Sequence, residues 1–115
     1  MLPYNIDHVA IAVHDLDATL ADLHAQYGVE PVSREVVESQ GVEEAMIAIG
    51  GSNLQLLQPL QPDSPVGRFL VERGQGLHHI ALAVPDIEAA LDHLAGTGAR
   101  LVDTEPRVGG GGHRI

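Results

Sequence analysis

Two histidines occupy equivalent positions of an internal repeat, and their side chains are the ones best suited to chemistry in this sequence. When the chain is shifted by 71 positions, His8 falls on His79, and residues 8–13 match residues 79–84, identically or conservatively, in the same register. Imidazole is the commonest protein ligand for a divalent metal. If the two copies pair about a pseudo-twofold axis, the histidines converge, which predicts a metal site. The alternative is that both are buried, hydrogen-bonded core residues.

Three other polar residues are candidates for the same site. Gln55 alternates with leucines, so that its side chain faces either solvent or a cleft. Glu44 lies on the neighbouring predicted strand, where it is either a surface glutamate or a carboxylate able to take a proton from a substrate carbon. By strand parity, His78 faces away from His79, and we interpret it as a structural residue or one that supports the site without being a ligand.

The strand and helix patterns around the histidines also occur twice. Residues 6–13 and 77–84 alternate with a period of two, and an aspartate suited to cap a helix follows each, Asp15 or Asp86. In each strand the histidine and the alanines share one face, and branched residues share the other. We expect the branched face to pack against the helix of its own copy, and the alanine face to line the concave side of the sheet.

The remaining patterns complete a βαβββ unit followed by a shorter βαβ unit. Ser64 followed by Pro65 predicts the start of a short helix between them. The other expected elements are strands at residues 29–38, 42–49, 54–57 and 99–104 and a glycine turn at 109–112.

The resulting expectation is an α+β fold in which paired βαβββ modules form a curved mixed sheet around a metal cleft. Residues 1–60 are the first module, and residues 61–75 are a linker with a short helix. Residues 76–115 are a second module, truncated after its second strand. Such a half-sheet leaves an exposed edge, so we expect a longer natural protein, a disordered remainder, or completion by another chain.

Composition excludes several functional classes. The net charge is −10, and the six basic residues are all arginine, so the surface repels nucleic acid. The absence of lysine excludes Schiff-base chemistry, and the absence of cysteine excludes thiolate chemistry. The apolar runs are too short for a transmembrane helix, and no secretory signal is visible. We expect a cytoplasmic protein with no membrane association.

Five segments spread along the chain resemble the vicinal oxygen chelate superfamily and, within it, the methylmalonyl-CoA epimerases. They are IDHVA at residues 6–10, QGVEEAM at 40–46, LQLLQPL at 54–60, GLHHIA at 76–81 and GGHRI at 111–115. The resemblance implies an acyl-CoA substrate, epimerisation of methylmalonyl-CoA through a metal-stabilised enolate, and a homodimer.

The same resemblance implies roles for particular residues. His8, Gln55 and His79 would bind a divalent ion (Co²⁺, Mn²⁺, Mg²⁺ or Zn²⁺), together with a glutamate from the last strand. Glu44 would be one of two acid/base residues, and that same C-terminal glutamate would be the other. In this sequence no glutamate follows Glu105, so the fourth ligand and the second base have no counterpart.

Two other functions are compatible with the superfamily. A glyoxalase-type lyase would favour a glutamate where Gln55 stands and would leave Glu44 without a role. A metal-free protein that binds a small molecule in the cleft would make His8 and His79 ordinary core residues.

Overall fold

The computed structural model describes residues 5–115, which form one five-stranded sheet and three α-helices. The elements are β1 (Asn5–Ala12), α1 (Leu16–Tyr27), β2 (Ser33–Val37), β3 (Val42–Ile49), β4 (Ser52–Pro59), α2 (Pro65–Arg73), β5 (Gly76–Ala83) and α3 (Ile87–Gly96), with short 3₁₀ turns at Glu38–Gln40 and Gly110–Gly112. The strand order is β2-β3-β4-β1-β5. β1 is parallel to β4, and every other neighbouring pair is antiparallel. The α+β class and the curved mixed sheet predicted from the sequence are confirmed.

The two repeat copies meet where β1 pairs with β5. The antiparallel register is centred on Val9 opposite Ile80, which are equivalent under the 71-residue shift. The pair of His8 with Ala81 is therefore the symmetry mate of the pair of Ala10 with His79. The pseudo-twofold pairing on which the metal-site prediction depended is present, and it places the two histidines on adjacent strands, with β5 at the edge of the sheet.

Capping side chains start the helices at the predicted residues. Asp15 accepts a hydrogen bond from the Ala18 amide at 3.0 Å, and Asp86 caps α3 in the equivalent way. Ser64 accepts from the amide of Gly67 and caps α2. These bonds satisfy amides that have no partner within the first turn of a helix.

The two faces of the sheet are covered differently. On the branched face, α1 places Leu16 against Ile47 and Leu56, all of them fully buried. On the alanine face, α2 covers only one end, where Leu70 packs near Ala12. The rest of that face forms an open cleft, in which His8 is only half-buried, whereas Ala10 is covered completely.

Two expectations for the second copy are wrong. Residues 99–104 form no strand, because local strand propensity without a paired neighbour does not hold an extended segment in place. The branched face of β5 is not covered by α3 either, since Ile80 and Leu82 are 52% and 55% exposed. Leu94 of α3 is also 41% exposed. Among the described residues, none of the helices is long and apolar enough to cross a membrane.

Candidate active site

The open part of the alanine face forms a cleft of about 1110 Å³. In the sheet, Ala10 of β1 pairs with Gln55 on one side and with His79 on the other, so these side chains rise in one row. His8 and Glu44 stand in the flanking rows on the same face. The structure therefore brings all four sequence-predicted site residues into one cleft.

The two repeat histidines point their ring edges at each other. The Nε2 atoms of His8 and His79 are 3.2 Å apart, and the rings meet edge to face. On the far side of its ring, His8 contacts the Asp7 carboxylate through Nδ1 at 2.7 Å. Desolvation, with His78 and His8 nearby, lowers the pKa of His79. A neutral imidazole is the form that binds metals.

His78 does not face away from His79, so the interpretation from strand parity is wrong. Ala10 pairs with His79 and Ile11 with Leu77, so that His78 is the extra residue of a β-bulge. A bulge breaks the two-residue alternation, which turns His78 towards its neighbour. The Nδ1 atoms of His78 and His79 are 2.8 Å apart.

Glu44 and Gln55 are buried together in the cleft, at 5% and 6% exposure, rather than facing solvent. The Gln55 amide donates from Nε2 to Oε2 of Glu44 at 2.5 Å. Burial raises the pKa of Glu44, and the neighbouring Glu35 carboxyl raises it further. A carboxyl group with a raised pKa takes up protons more readily near neutral pH than an ordinary glutamate does.

The glycine turn, which the sequence suggested was only a connection, closes over Glu44. The amide of Gly111 donates to Oε1 of Glu35 at 2.6 Å, and Glu35 pairs with Glu44 across β2 and β3. A Cβ atom at Gly110 would overlap Oε1 of Glu44. Nothing in the sequence links this turn to Glu44, because the two segments meet only through the fold.

Asp7 is a second residue that sequence reasoning missed, although a signal was present. The 71-residue shift places Asp7 on His78, directly before the two repeat histidines. In the pairing of β1 with β5, Ile6 pairs with Leu82 and His8 pairs with Ala81. Asp7 therefore has no paired residue on β5 and lies in a bulge. Asp7 and His78, which contact His8 and His79 respectively, thus occupy equivalent positions of the repeat.

The donor set fits a divalent ion. Two imidazole nitrogens bound side by side to one ion at about 2.1 Å lie roughly 3.0–3.4 Å apart, and the observed separation is 3.2 Å. Within the part of the chain that the structure describes, no three histidine, cysteine or carboxylate side chains gather closely enough to hold a metal. A third ligand would then be Gln55, whose Oε1 atom is buried and has no hydrogen-bond partner among the described residues. Buried polar atoms rarely lack a partner.

A family profile and proteins of known annotation match nearly the whole chain. The profile of the Glyoxalase/Bleomycin resistance protein/Dioxygenase superfamily matches residues 7–115. The ethylmalonyl-CoA/methylmalonyl-CoA epimerase of Cereibacter sphaeroides is 38% identical over 96% of this chain and 84% of its own length.

Solved structures share the fold of this chain. A variant of Streptomyces coelicolor methylmalonyl-CoA epimerase in complex with 2-nitronate-propionyl-CoA superposes with a TM-score of 0.94 at 44% identity, covering 98% of this chain and 83% of that one. A methylmalonyl-CoA epimerase in complex with methylmalonyl-CoA and NH4+ gives a TM-score of 0.93 at the same identity and coverage. The likeness therefore includes proteins solved with acyl-CoA ligands.

Proposed function

This chain belongs to the glyoxalase/bleomycin resistance protein/dioxygenase superfamily, and we propose that within it the chain catalyses the epimerisation of methylmalonyl-CoA. The proposal is supported by the similarity to epimerases at 44% identity across 98% of the chain. The observation that carries it is the buried Glu44 carboxylate, held by Gln55 in a cleft that also contains the two converging histidines.

The reaction requires removal of a weakly acidic proton next to a thioester carbonyl. His8, His79 and Gln55 are the residues that would hold a divalent ion. When bound, the ion supplies a Lewis acid that stabilises negative charge on the thioester oxygen as the enolate forms. The donor set of nitrogen and oxygen atoms is compatible with Co²⁺, Mn²⁺, Mg²⁺ and Zn²⁺ alike.

Glu44 is the proposed base for one face of the substrate. Its raised pKa favours proton uptake, and the hydrogen bond from Gln55 fixes the direction of the carboxylate. Epimerisation also needs proton delivery on the opposite face, for which the resemblance implies a glutamate beyond Glu105. Proton exchange at the alpha carbon requires only one base, so exchange is the direct test of Glu44.

The test is uptake of deuterium from D₂O into the alpha position of methylmalonyl-CoA, measured with added Co²⁺. Wild type should exchange, and Glu44→Gln should slow exchange about 10²- to 10⁴-fold, the usual contribution of a positioned base. Glu43→Gln is the matched control, because Glu43 bonds Arg34 at 2.8 Å and does not line the cleft. Absence of exchange in wild type would reject the epimerase, and full exchange in Glu44→Gln would remove Glu44 from the reaction.

Metal dependence needs its own measurement. The double variant His8→Ala/His79→Ala should retain less metal than wild type by elemental analysis after dialysis. Equal metal contents would reject the site, and a wild type that binds no metal would favour the metal-free binding protein. A glyoxalase-type lyase is disfavoured because residue 55 is glutamine. Homodimer formation and a cytoplasmic location remain predictions.

A further inference from the structure

The two repeat histidines are each supported by the residue before them, but the supports differ chemically. Asp7 contacts Nδ1 of His8, and His78 contacts Nδ1 of His79. Both supports are bulge residues, skipped in the pairing of β1 with β5 and related by the 71-residue shift. A carboxylate can only accept a hydrogen bond, whereas an imidazole can donate or accept. The same repeat position therefore holds an obligate hydrogen-bond acceptor in the first copy and a group that can donate or accept in the second.

The four side chains form a continuous chain of contacts, Asp7–His8–His79–His78. Since Asp7 accepts from Nδ1 of His8, the neutral His8 ring has a lone pair on Nε2. The 3.2 Å contact between the histidines then requires Nε2 of His79 to be the donor. Nδ1 of His79 is left as an acceptor, and the 2.8 Å contact requires Nδ1 of His78 to donate. With His8 neutral and no metal bound, every contact is satisfied only if His78 is a donor.

A metal on the two Nε2 atoms reverses this requirement. Nε2 of His79 must then be a lone pair, so its Nδ1 carries the proton and donates to His78. We propose that His78 is the positioning residue of His79, switching from donor to acceptor when the metal binds. One proton passes from Nδ1 of His78 to Nδ1 of His79, and one passes from Nε2 of His79 through solvent to Nε2 of His78. No proton is gained or lost overall. An aspartate in place of His78 could not make this switch, because a carboxylate can only accept a hydrogen bond.

The surroundings of His78 support this role. The ring of Phe69, on α2, packs edge to face against His78 at 5.0 Å between centroids. The same face of the sheet is closed at this end by α2. His78 is therefore held in place by packing while its two nitrogens exchange roles. This inference rests on the proposed metal site but not on the epimerase activity.

The tautomers can be read from two-bond ¹H–¹⁵N spectra of protein labelled on histidine, with and without Zn²⁺. In the metal-free protein, we expect the Nε2–H form of His79 and the Nδ1–H form of His78. Zn²⁺ should convert both to the opposite tautomer. A His79 ring that keeps Nε2–H with bound Zn²⁺, or a His78 ring that keeps Nδ1–H, would overturn the proposal.

Binding of Co²⁺, followed by calorimetry and by its visible absorption, gives a second measurement without substrate. His78→Leu should lower affinity about 10- to 100-fold, as loss of such outer partners does. His78→Asp, which copies the first repeat, should restore affinity, because an acceptor suffices in the metal-bound state. His93→Leu, at an exposed position of α3, is the control and should bind as wild type does.

The outcomes separate this inference from the proposed function. If His78→Leu and wild type bind Co²⁺ equally, the positioning role is wrong while the metal site stands. If His78→Leu is weakened but His78→Asp does not recover although folded by circular dichroism, the role is also wrong. If wild type binds no Co²⁺, both the metal site and the switch are wrong, and deuterium exchange alone decides the activity.

Discussion

Replacing Gly110 with alanine is the sharpest test of whether the glycine turn belongs to the active site. The new Cβ atom would overlap Oε1 of Glu44 and lie 3.0 Å from its Cδ and Oε2 atoms. Carbon atoms in ordinary contact are about 3.5–4.0 Å apart, so the turn or the carboxylate must move by roughly 0.5–1 Å. Movement of Glu44 breaks its bond with Gln55, and movement of the turn breaks the bond from Gly111 to Glu35.

The expected effect follows from the sensitivity of proton transfer to position. A displacement of about 1 Å lowers rates about 100-fold, which equals about 2.7 kcal/mol of activation free energy. The assay is the deuterium exchange rate at saturating methylmalonyl-CoA, with thermal melting as a check on folding. Gly109→Ala is the control, since its nearest contacts would be with the Ile115 side chain at 3.0–3.4 Å rather than with Glu44.

The reasoning is refuted if folded Gly110→Ala exchanges within about threefold of wild type, a change well short of the displacement effect. It is refuted equally if Gly109→Ala loses as much activity, because the loss would then reflect the turn as a whole rather than contact with Glu44.

Two further predictions concern the charge on Glu44 and the repeated helix caps. Glu44 must be ionised to accept a proton, so the exchange rate should rise as pH passes through its pKa, which burial and Glu35 raise. Glu35→Gln removes one of these influences and should shift the rising limb of the pH–rate profile to lower pH. An unchanged limb would contradict this prediction. Asp15→Ala loses the bond to Ala18 and should lower the free energy of unfolding by about 0.5–2 kcal/mol in urea titrations. Asp22→Ala, at an exposed position of the same helix, should change it little, and equal losses in both variants would contradict a capping role.

The sequence predicted the parts of the site that depend on regular patterns. Alternation alone placed His8 and His79 on the alanine faces, and their convergence was expected on the condition that the two strands pair, which they do. The resemblance to known proteins supplied the roles of Gln55 and Glu44, which the residue pattern had left open between cleft and solvent. Their burial in the cleft agrees with those roles.

Features that depend on long-range geometry could not be predicted in this way. Strand parity assumes an unbroken ladder, and the bulge at His78 breaks it. A strand also requires a partner, which residues 99–104 do not have. The position of Gly110 against Glu44 is set by the path of the chain after α3, which no local pattern encodes.

Gln55 connects the proposed metal-binding and proton-transfer parts of the site through one amide group. Its NH₂ must point at Glu44, because only a donor can contact that carboxylate, and the carbonyl oxygen is therefore left without a partner within residues 5–115. A glutamate at this position could not do both, since two carboxylates at 2.5 Å cannot both be ionised, and the shared proton would weaken Glu44 as a base. The choice of an amide thus leaves an oxygen for a metal while keeping Glu44 able to accept a proton, which a deprotonation next to a thioester requires.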